Sequence, residues 1–266
     1  MSEDTRAVQR MAWTAAGVTR ESDRVIAETP VALVYNGVSH VVTMATASHL
    51  EELGLGFSLS EGILSSAGQL LDWELIDREQ GVELAMTITN EAFAKLKERR
   101  RNLTGRSGCG LCGLESLEQA IPPLNPVPAN LQVQHAALQN ALAGLEAAQA
   151  LKREIGGVHG AAWCNVDGEV ELVREDVGRH NALDKLLGAL QRQSHSAEGF
   201  VIVSSRASYE VVAKVAALGI PLLAAVSAPT SLAIELADQY GVTLAAYVQP
   251  GRHLIYTHAD RMGGGA

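Results

Sequence analysis

Residues 200–248, FVIVSSRASYEVVAKVAALGIPLLAAVSAPTSLAIELADQYGVTLAAYV, alternate short apolar runs with longer amphipathic ones, and their reading decides the fold. Phe200 to Ser204 and Pro221 to Val226 are apolar runs of strand length, and Val242 to Val248 returns to strand character. Between them, Ser208 to Leu218 and Thr230 to Tyr240 repeat their apolar residues at helical spacing. Strands this uniformly apolar need shielding from water on two sides, so the alternation predicts an α/β sheet covered by helices on both faces. Working outward, Asn181 to Arg192 reads as a helix, and Gly160 to Val166 as a strand followed by a second one after the Asp167-Gly168 turn. Gln134 to about Arg153 is an alanine- and leucine-rich helix.

Upstream, Pro122, Pro123, Pro126 and Pro128 cannot continue a regular helix and mark a linker, which divides the chain into regions 1–128 and 129–266. The first region reads as a smaller α+β portion. Residues 31–44 form two strands around an Asn36-Gly37 turn. Ser48 to Ile63 is helical, with Leu50, Leu53, Phe57 and Ile63 on a buried face and Gly54 and Gly56 interrupting it. Val82 to Thr89 is a strand, and Glu91 to about Arg101 a charged helix; the first thirty residues carry no motif. With 47% hydrophobic residues in 266, the chain can bury a substantial core. Its 21 basic and 30 acidic residues leave a net charge of −9, which argues against a broad nucleic-acid surface. No run approaches the roughly 18 apolar residues of a membrane span. The start, Met1-Ser2-Glu3-Asp4-Thr5-Arg6, lacks the basic and apolar regions of a signal peptide, so a cytoplasmic location is expected.

Three cysteines in so long a chain do not make a disulfide framework. Two of them stand in Arg106-Ser107-Gly108-Cys109-Gly110-Leu111-Cys112-Gly113. Thiols at this spacing can ligate zinc, close a small disulfide, or leave one nucleophile beside a resolving partner. A structural zinc needs further ligands at comparable spacing, and the third cysteine, Cys164, stands alone in an apolar run where it reads as an inert core thiol. No bound metal is therefore expected. Glycines 105, 108, 110 and 113 let the segment bend sharply, and Arg99, Arg100, Arg101 and Arg106 favour thiolate over thiol.

Polar side chains gather where the predicted strands of the second half end. Arg174 to Lys185 places seven ionisable groups just after a strand, where open α/β sheets commonly bind ligands. The run reads either as a helix start, with Asn181 as cap and Asp184 and Lys185 solvated, or as a polar pocket in which Arg179 engages phosphate or carboxylate and His180 bonds a base or moves a proton. Ser204, Ser205, Arg206 and Ser208 follow the next strand, and Ser227, Thr230 and Ser231 repeat the arrangement at the one after. Each set is either a helix cap or a phosphate seat. His159 ends a glycine-rich helix stop beside the same region. Tyr247-Val248-Gln249-Pro250-Gly251-Arg252 ends the last strand in a Pro-Gly turn that supplies a ring and a cation.

Taken together, SGCGLCG at 107–113, HGAAWC at 159–164, REDVGRHNALDKLLG at 174–188, SSRASYEVVAKVA at 204–216 and VSAPTSLAIELA at 226–237 resemble the formate dehydrogenase accessory sulfurtransferase family. The resemblance implies a cytidine deaminase-like fold, a homodimer, and sulfur received as persulfide from a cysteine desulfurase. It further implies delivery to the molybdenum bis(molybdopterin guanine dinucleotide) cofactor, bound as substrate, for formate dehydrogenase. Cys109 matches the persulfide carrier and Cys112 its partner; Tyr247, Val248, Gln249, Pro250, Gly251 and Arg252 match the cofactor-binding strip. On this reading Arg179, Arg206 and Arg252 are the preferred phosphate contacts, with His180, Ser204, Ser205 and Ser227 beside them. Deaminase chemistry is not expected, because His159 is followed by Gly-Ala instead of x-Glu and the CxxC lies upstream of it. The competing classes are a cofactor-binding chaperone without sulfur transfer and a CxxC zinc or thiol-redox protein.

Overall fold

The computed structural model describes residues 4–104, 124, 126–128, 131–193 and 195–263. Strands β1 (Thr5–Thr14) and β2 (Gly17–Ile26) pair only with each other, as a long two-stranded hairpin. Strands β3 (Thr29–Tyr35), β4 (Val38–Ala45), β5 (Leu70–Arg78) and β6 (Gly81–Ile88) form a sheet in the order β4-β3-β6-β5. The β3–β4 turn is the expected one: Asn36 and Gly37 both take positive φ, 47° and 79°, as a two-residue hairpin turn requires. Helix α1 (Leu50–Ser60) packs on this sheet through Leu50, Leu53 and Leu55, and α2 (Asn90–Thr104) adds Ala92 and Leu96 to the same core.

The second half builds a six-stranded sheet in the order β13-β12-β11-β10-β8-β9. After the short β7 (Val133–Gln134) come α3 (His135–Ala148) and α4 (Ala150–Glu154), then β8 (His159–Asn165), β9 (Val170–Asp176) and α5 (Arg179–Leu190). The alternation then runs β10 (Gly199–Val203), α6 (Tyr209–Ala217), β11 (Leu222–Ala225), α7 (Ser231–Tyr240), β12 (Thr243–Gln249) and β13 (Arg252–Ile255), with β14 (Met262–Gly263) pairing back to β7. Strands β10, β11 and β12 are parallel, while β8 and β13 run antiparallel to their neighbours. Leu138, Ala141 and Leu145 of α3 cover one face over Cys164, Phe200, Ile202 and Ala245. Helices α5, α6 and α7 cover the other over Val201, Val203, Leu223 and Leu244. The predicted α/β sheet with helices on both faces is thus observed. The single helix expected over 134–153 is instead two, parted at Gln149.

Helix α1 lies between the four-stranded sheet and α5, closer than side chains would allow. A Cβ on Gly56 would stand 1.8 Å from the Asp184 carbonyl oxygen, and one on Gly188 2.0 Å from that of Glu52. The glycines that weaken α1 as an isolated helix are what let it meet α5. Charge closes the seam as well. Arg174 grips Glu52 through both carboxylate oxygens, and Lys185 Nζ lies 2.6 Å from Asp176 Oδ2 while donating to Thr46 Oγ1 (2.6 Å) and to its carbonyl (3.0 Å). Lys214 Nζ bonds Asp184 (3.0 Å), Glu61 (2.8 Å) and Ser60 (2.9 Å). Burial works to lower the Lys214 pKa, but Asp184 and Glu61 carry it above its ordinary value; for Lys185 burial prevails and pulls it down against Asp176.

These contacts correct the solvated reading of Asp184 and Lys185, which are 1% and 0% exposed. They also correct the cap. Gly178 occupies the N-cap of α5, and the Asn181 amide donates to Met44 O at 2.8 Å.

Candidate functional site at the carboxyl edge of the six-stranded sheet

Strands β10, β11 and β12 are parallel, so their carboxyl ends share one edge; β8 begins and β9 ends there, since His159 pairs with Asp176. The sequence loops meet on this edge. Ser204 N donates to Gly160 O and Gly160 N to Ser204 Oγ, both at 2.9 Å. Ser227 N reaches Ser205 O at 3.4 Å, and Tyr247 N reaches Ser227 O at 3.2 Å. An isolated parallel bridge, Ala207 to Pro229, ties the two strand-to-helix loops together. Helices α5, α6 and α7 all start here, so the partial positive charge of three helix N-termini faces the same edge. Thr230 caps α7 by accepting from Ala233 N; Ser208, at the cap of α6, makes no such bond, and its buried Oγ has no hydrogen-bond partner among the described residues.

Two cations stand at this edge. Arg179 opens α5 with a buried Nε that lacks a hydrogen-bond partner among the described residues, and Arg206 is exposed on the loop after β10. His180 Nε2 stands 2.9 Å from Glu210 at the start of α6. Burial lowers the His180 pKa, Glu210 opposes it, and Arg179 and Lys214 push it further down. His159 is lowered in the same direction by burial, by Arg179 and by Lys152. Both imidazoles are therefore biased toward the neutral form, which can accept a proton or a hydrogen bond.

The predicted strip divides by side. A register shift between Ala246 and Gln249 puts Tyr247 in the left-handed region at φ 50° and leaves it 38% exposed. Such bulges re-aim a side chain next to a site. Val248 turns into the core instead, fully buried among Ala162 and Phe200, so only its backbone can meet a ligand. Gln249, Pro250, Gly251 and Arg252 form the exposed tip of the β12–β13 hairpin, with Gly251 at φ 72°. Ser205 is buried and gives its hydroxyl proton to Arg206 O. The structure thus gathers Arg179, His180, Ser204, Ser205, Arg206, Ser227 and Tyr247 on one edge, continued by the hairpin that carries Arg252. Sequence reading missed the α3 residues His135 and Gln139 that hold that hairpin, because nothing local marks a helix face that meets a turn more than a hundred residues later.

Cys109 and Cys112 lie outside the described residues, as do Pro122 and Pro123. Leu124 lies in the wall of a cavity of ≈ 780 Å³ shared with Glu61, Tyr209, Glu210 and Lys214. Tyr209 and Glu210 belong to the first turn of α6, so the cavity adjoins the carboxyl edge. Cys164 is fully buried on β8, and burial raises its pKa to about 12, which suits an inert core thiol. The one cluster with metal-ligand spacing among the described residues, His49, Glu51 and Glu52, is compromised because Arg174 and Gln193 already hold Glu52.

The FdhD/NarQ family model matches residues 26–263, nearly all of the described chain. The chain belongs to the FdhD/NarQ family. Among its relatives, a sulfur carrier protein FdhD from Cupriavidus necator is 50% identical over 262 residues, covering 98% of this chain and 90% of that protein. One from Variovorax paradoxus is 49% identical over 243 residues, covering 91% and 87%. The crystal structure of a proposed formate dehydrogenase accessory protein from Desulfotalea psychrophila superposes with a TM-score of 0.74 at 25% identity, covering 97% of this chain and 99% of that one. The FdhD/NarQ match begins at residue 26, so β1 and nearly all of β2 precede it. No helix among the described residues is long and apolar enough to cross a membrane.

Proposed function

We propose that this FdhD/NarQ chain is a sulfur carrier that takes persulfide sulfur from a cysteine desulfurase onto Cys109. It passes that sulfur to the molybdenum bis(molybdopterin guanine dinucleotide) cofactor, held as substrate, for a formate dehydrogenase. The observation that carries this reading is the carboxyl edge, which brings together Arg179, Arg206 and three helix N-termini with Ser227 and Tyr247. A guanine dinucleotide is long, polyanionic and carries a flat base. Phosphates suit the arginines and the helix ends, and the base suits the exposed Tyr247 ring.

The sulfur chemistry balances on the two cysteines. The Cys109 thiolate attacks the outer sulfur of the desulfurase persulfide; a Cys109 sulfur–sulfur bond forms, the donor's breaks, and the desulfurase leaves as thiolate. Attack of the Cys112 thiolate on Cys109 Sγ then releases the outer sulfur as sulfide to the acceptor and leaves a Cys109–Cys112 disulfide. Oxidation of the two cysteines to that disulfide supplies the two electrons that reduce the outer sulfur to sulfide, and a cellular dithiol then reduces the disulfide back to the two thiols. A homodimer, on the family resemblance alone, and a cytoplasmic location, on the sequence of the N-terminus, complete this reading.

The test is intact-protein mass spectrometry after incubation with a cysteine desulfurase and cysteine. Wild type and Cys112→Ala gain one sulfur that a reductant removes, and Cys109→Ala gains none. A wild type that binds guanine dinucleotide but never gains sulfur points instead to a cofactor chaperone.

A further inference from the structure

The hairpin tip that presents Arg252 is held from the side by helix α3. His135 and Gln139 are one turn apart on α3 and so share a face. Gln139 Oε1 accepts from Gly251 N at 2.8 Å, while its Nε2 donates to Arg252 O at 3.4 Å and lies 3.2 Å from His253 Nδ1. His253 Nε2 in turn lies 2.8 Å from His135 Nδ1, with the two rings stacked at 5.0 Å and 22°. These contacts fix the protons. The Gln139 Nε2 amide can only donate, so His253 Nδ1 accepts, its Nε2 carries hydrogen, and His135 Nδ1 accepts in turn. The chain of bonds is complete only while both imidazoles are neutral, since a proton on either accepting nitrogen meets a donor.

We propose that Gln139 and the His135–His253 pair are positioning residues: they hold the turn at 249–252 in the shape in which Arg252 meets the guanine dinucleotide, and they release it in mild acid. The inference rests on the cofactor reading given above. Its geometry is independent of the cysteines and of the arginines at the strand ends. An open hollow of ≈ 490 Å³ between α3 and the hairpin is lined by His135, Ala136, Gln139, Gly251, Arg252 and His253. The titratable or charged groups in that lining are His135 from α3 and Arg252 and His253 from β13, and none is acidic. Nothing there favours a second proton, and burial together with His135 holds the His253 pKa below its ordinary value.

Guanosine diphosphate, which carries the base, ribose and diphosphate of the cofactor's tail, is the probe. The full chain is titrated calorimetrically at about pH 8 and about pH 5.5, on either side of the ordinary imidazole range. Wild type binds about tenfold more weakly at the lower pH, and Gln139→Ala is weakened by about tenfold at the higher one. His253→Asn keeps an acceptor for Gln139 but does not titrate. It therefore binds within a few-fold of wild type at the higher pH and loses less in acid, since only the His135 ring still titrates, a change of profile that simple destabilisation would not produce. If Arg252→Ala abolishes binding while Gln139→Ala and His253→Asn match wild type at both pH values, the positioning role is overturned and the cofactor reading stands. If wild type itself binds no guanosine diphosphate, both are overturned.

Discussion

One twelve-residue run, Arg174 to Lys185, supplies two regions that treat charge in opposite ways. Along the seam with α1, Arg174, Asp176, Asp184 and Lys185 are at most partly exposed, and each is spent on a protein partner. At the sheet edge, Arg179 keeps a buried Nε with no hydrogen-bond partner among the described residues, and the loops beside it keep Arg206 in solvent. Density of ionisable residues is therefore no guide to a site on its own. What separates the two regions is whether the donors and acceptors are already matched. A matched buried pair holds elements in register, whereas donors left unmatched at a helix N-terminus belong to the edge for which cofactor binding is proposed.

Breaking the seam should cost most. Lys185→Met leaves the Asp176 carboxylate without its cation in a fully buried position, and is expected to cost about 3–5 kcal/mol in denaturant unfolding. A loss under about 1 kcal/mol would show that Thr46 and Asn181 suffice for Asp176. Gly56→Ala drives a methyl against the Asp184 carbonyl, so α1 and α5 must separate; about 1–3 kcal/mol is expected, with native binding retained where the protein folds. At the edge the pattern inverts. Arg179→Ala should change stability by no more than about 0.5 kcal/mol yet weaken guanosine diphosphate binding by roughly ten- to a hundredfold, as loss of a charge-assisted bond implies. Equal effects on stability and binding would erase the distinction drawn between the regions.

Acid sharpens the comparison with the smallest effects. The folded His180 pKa lies below its ordinary 6.5, so the unfolded chain binds more protons just under that value. Its contribution is complete above about pH 6.5 and is lost as pH falls through the folded value. Glu52 is lowered below 4.5 because Arg174 outweighs the burial that would raise it, and its contribution is lost only as pH falls through that still lower value. Stability should thus decline in two stages, the first reduced in His180→Gln and the second in Glu52→Gln, followed by thermal melting across the acid range.

The alternating second half was legible because each buried strand and each covering helix carries its own period within a dozen residues. The Asn36-Gly37 turn was legible for the same local reason. Strand β5 was not, since Leu71 and Leu75 stay exposed on an edge strand and its pattern lacks clean alternation. The β1–β2 hairpin carries few buried residues and offers no hydrophobic period at all. Gly54 and Gly56 were legible as helix interruptions but not as packing sites, because the reason for them sits on α5 and β6. The site residues Arg179, Ser204, Ser227 and Tyr247 could be picked out as strand-end polar groups. That Asp184 and Lys185 belong to the seam, and that Gln139 and His135 hold the hairpin, are facts of long-range contact that no spacing records.

The central claim is that sulfur moves from Cys109 to the cofactor. Its most direct test loads the protein with radiosulfur through a desulfurase, removes the donor, adds the molybdenum cofactor, and then adds formate dehydrogenase that lacks it. The account predicts that label leaves Cys109 and appears in the extracted cofactor as formate dehydrogenase gains activity. Activation with the label still on Cys109 would contradict it.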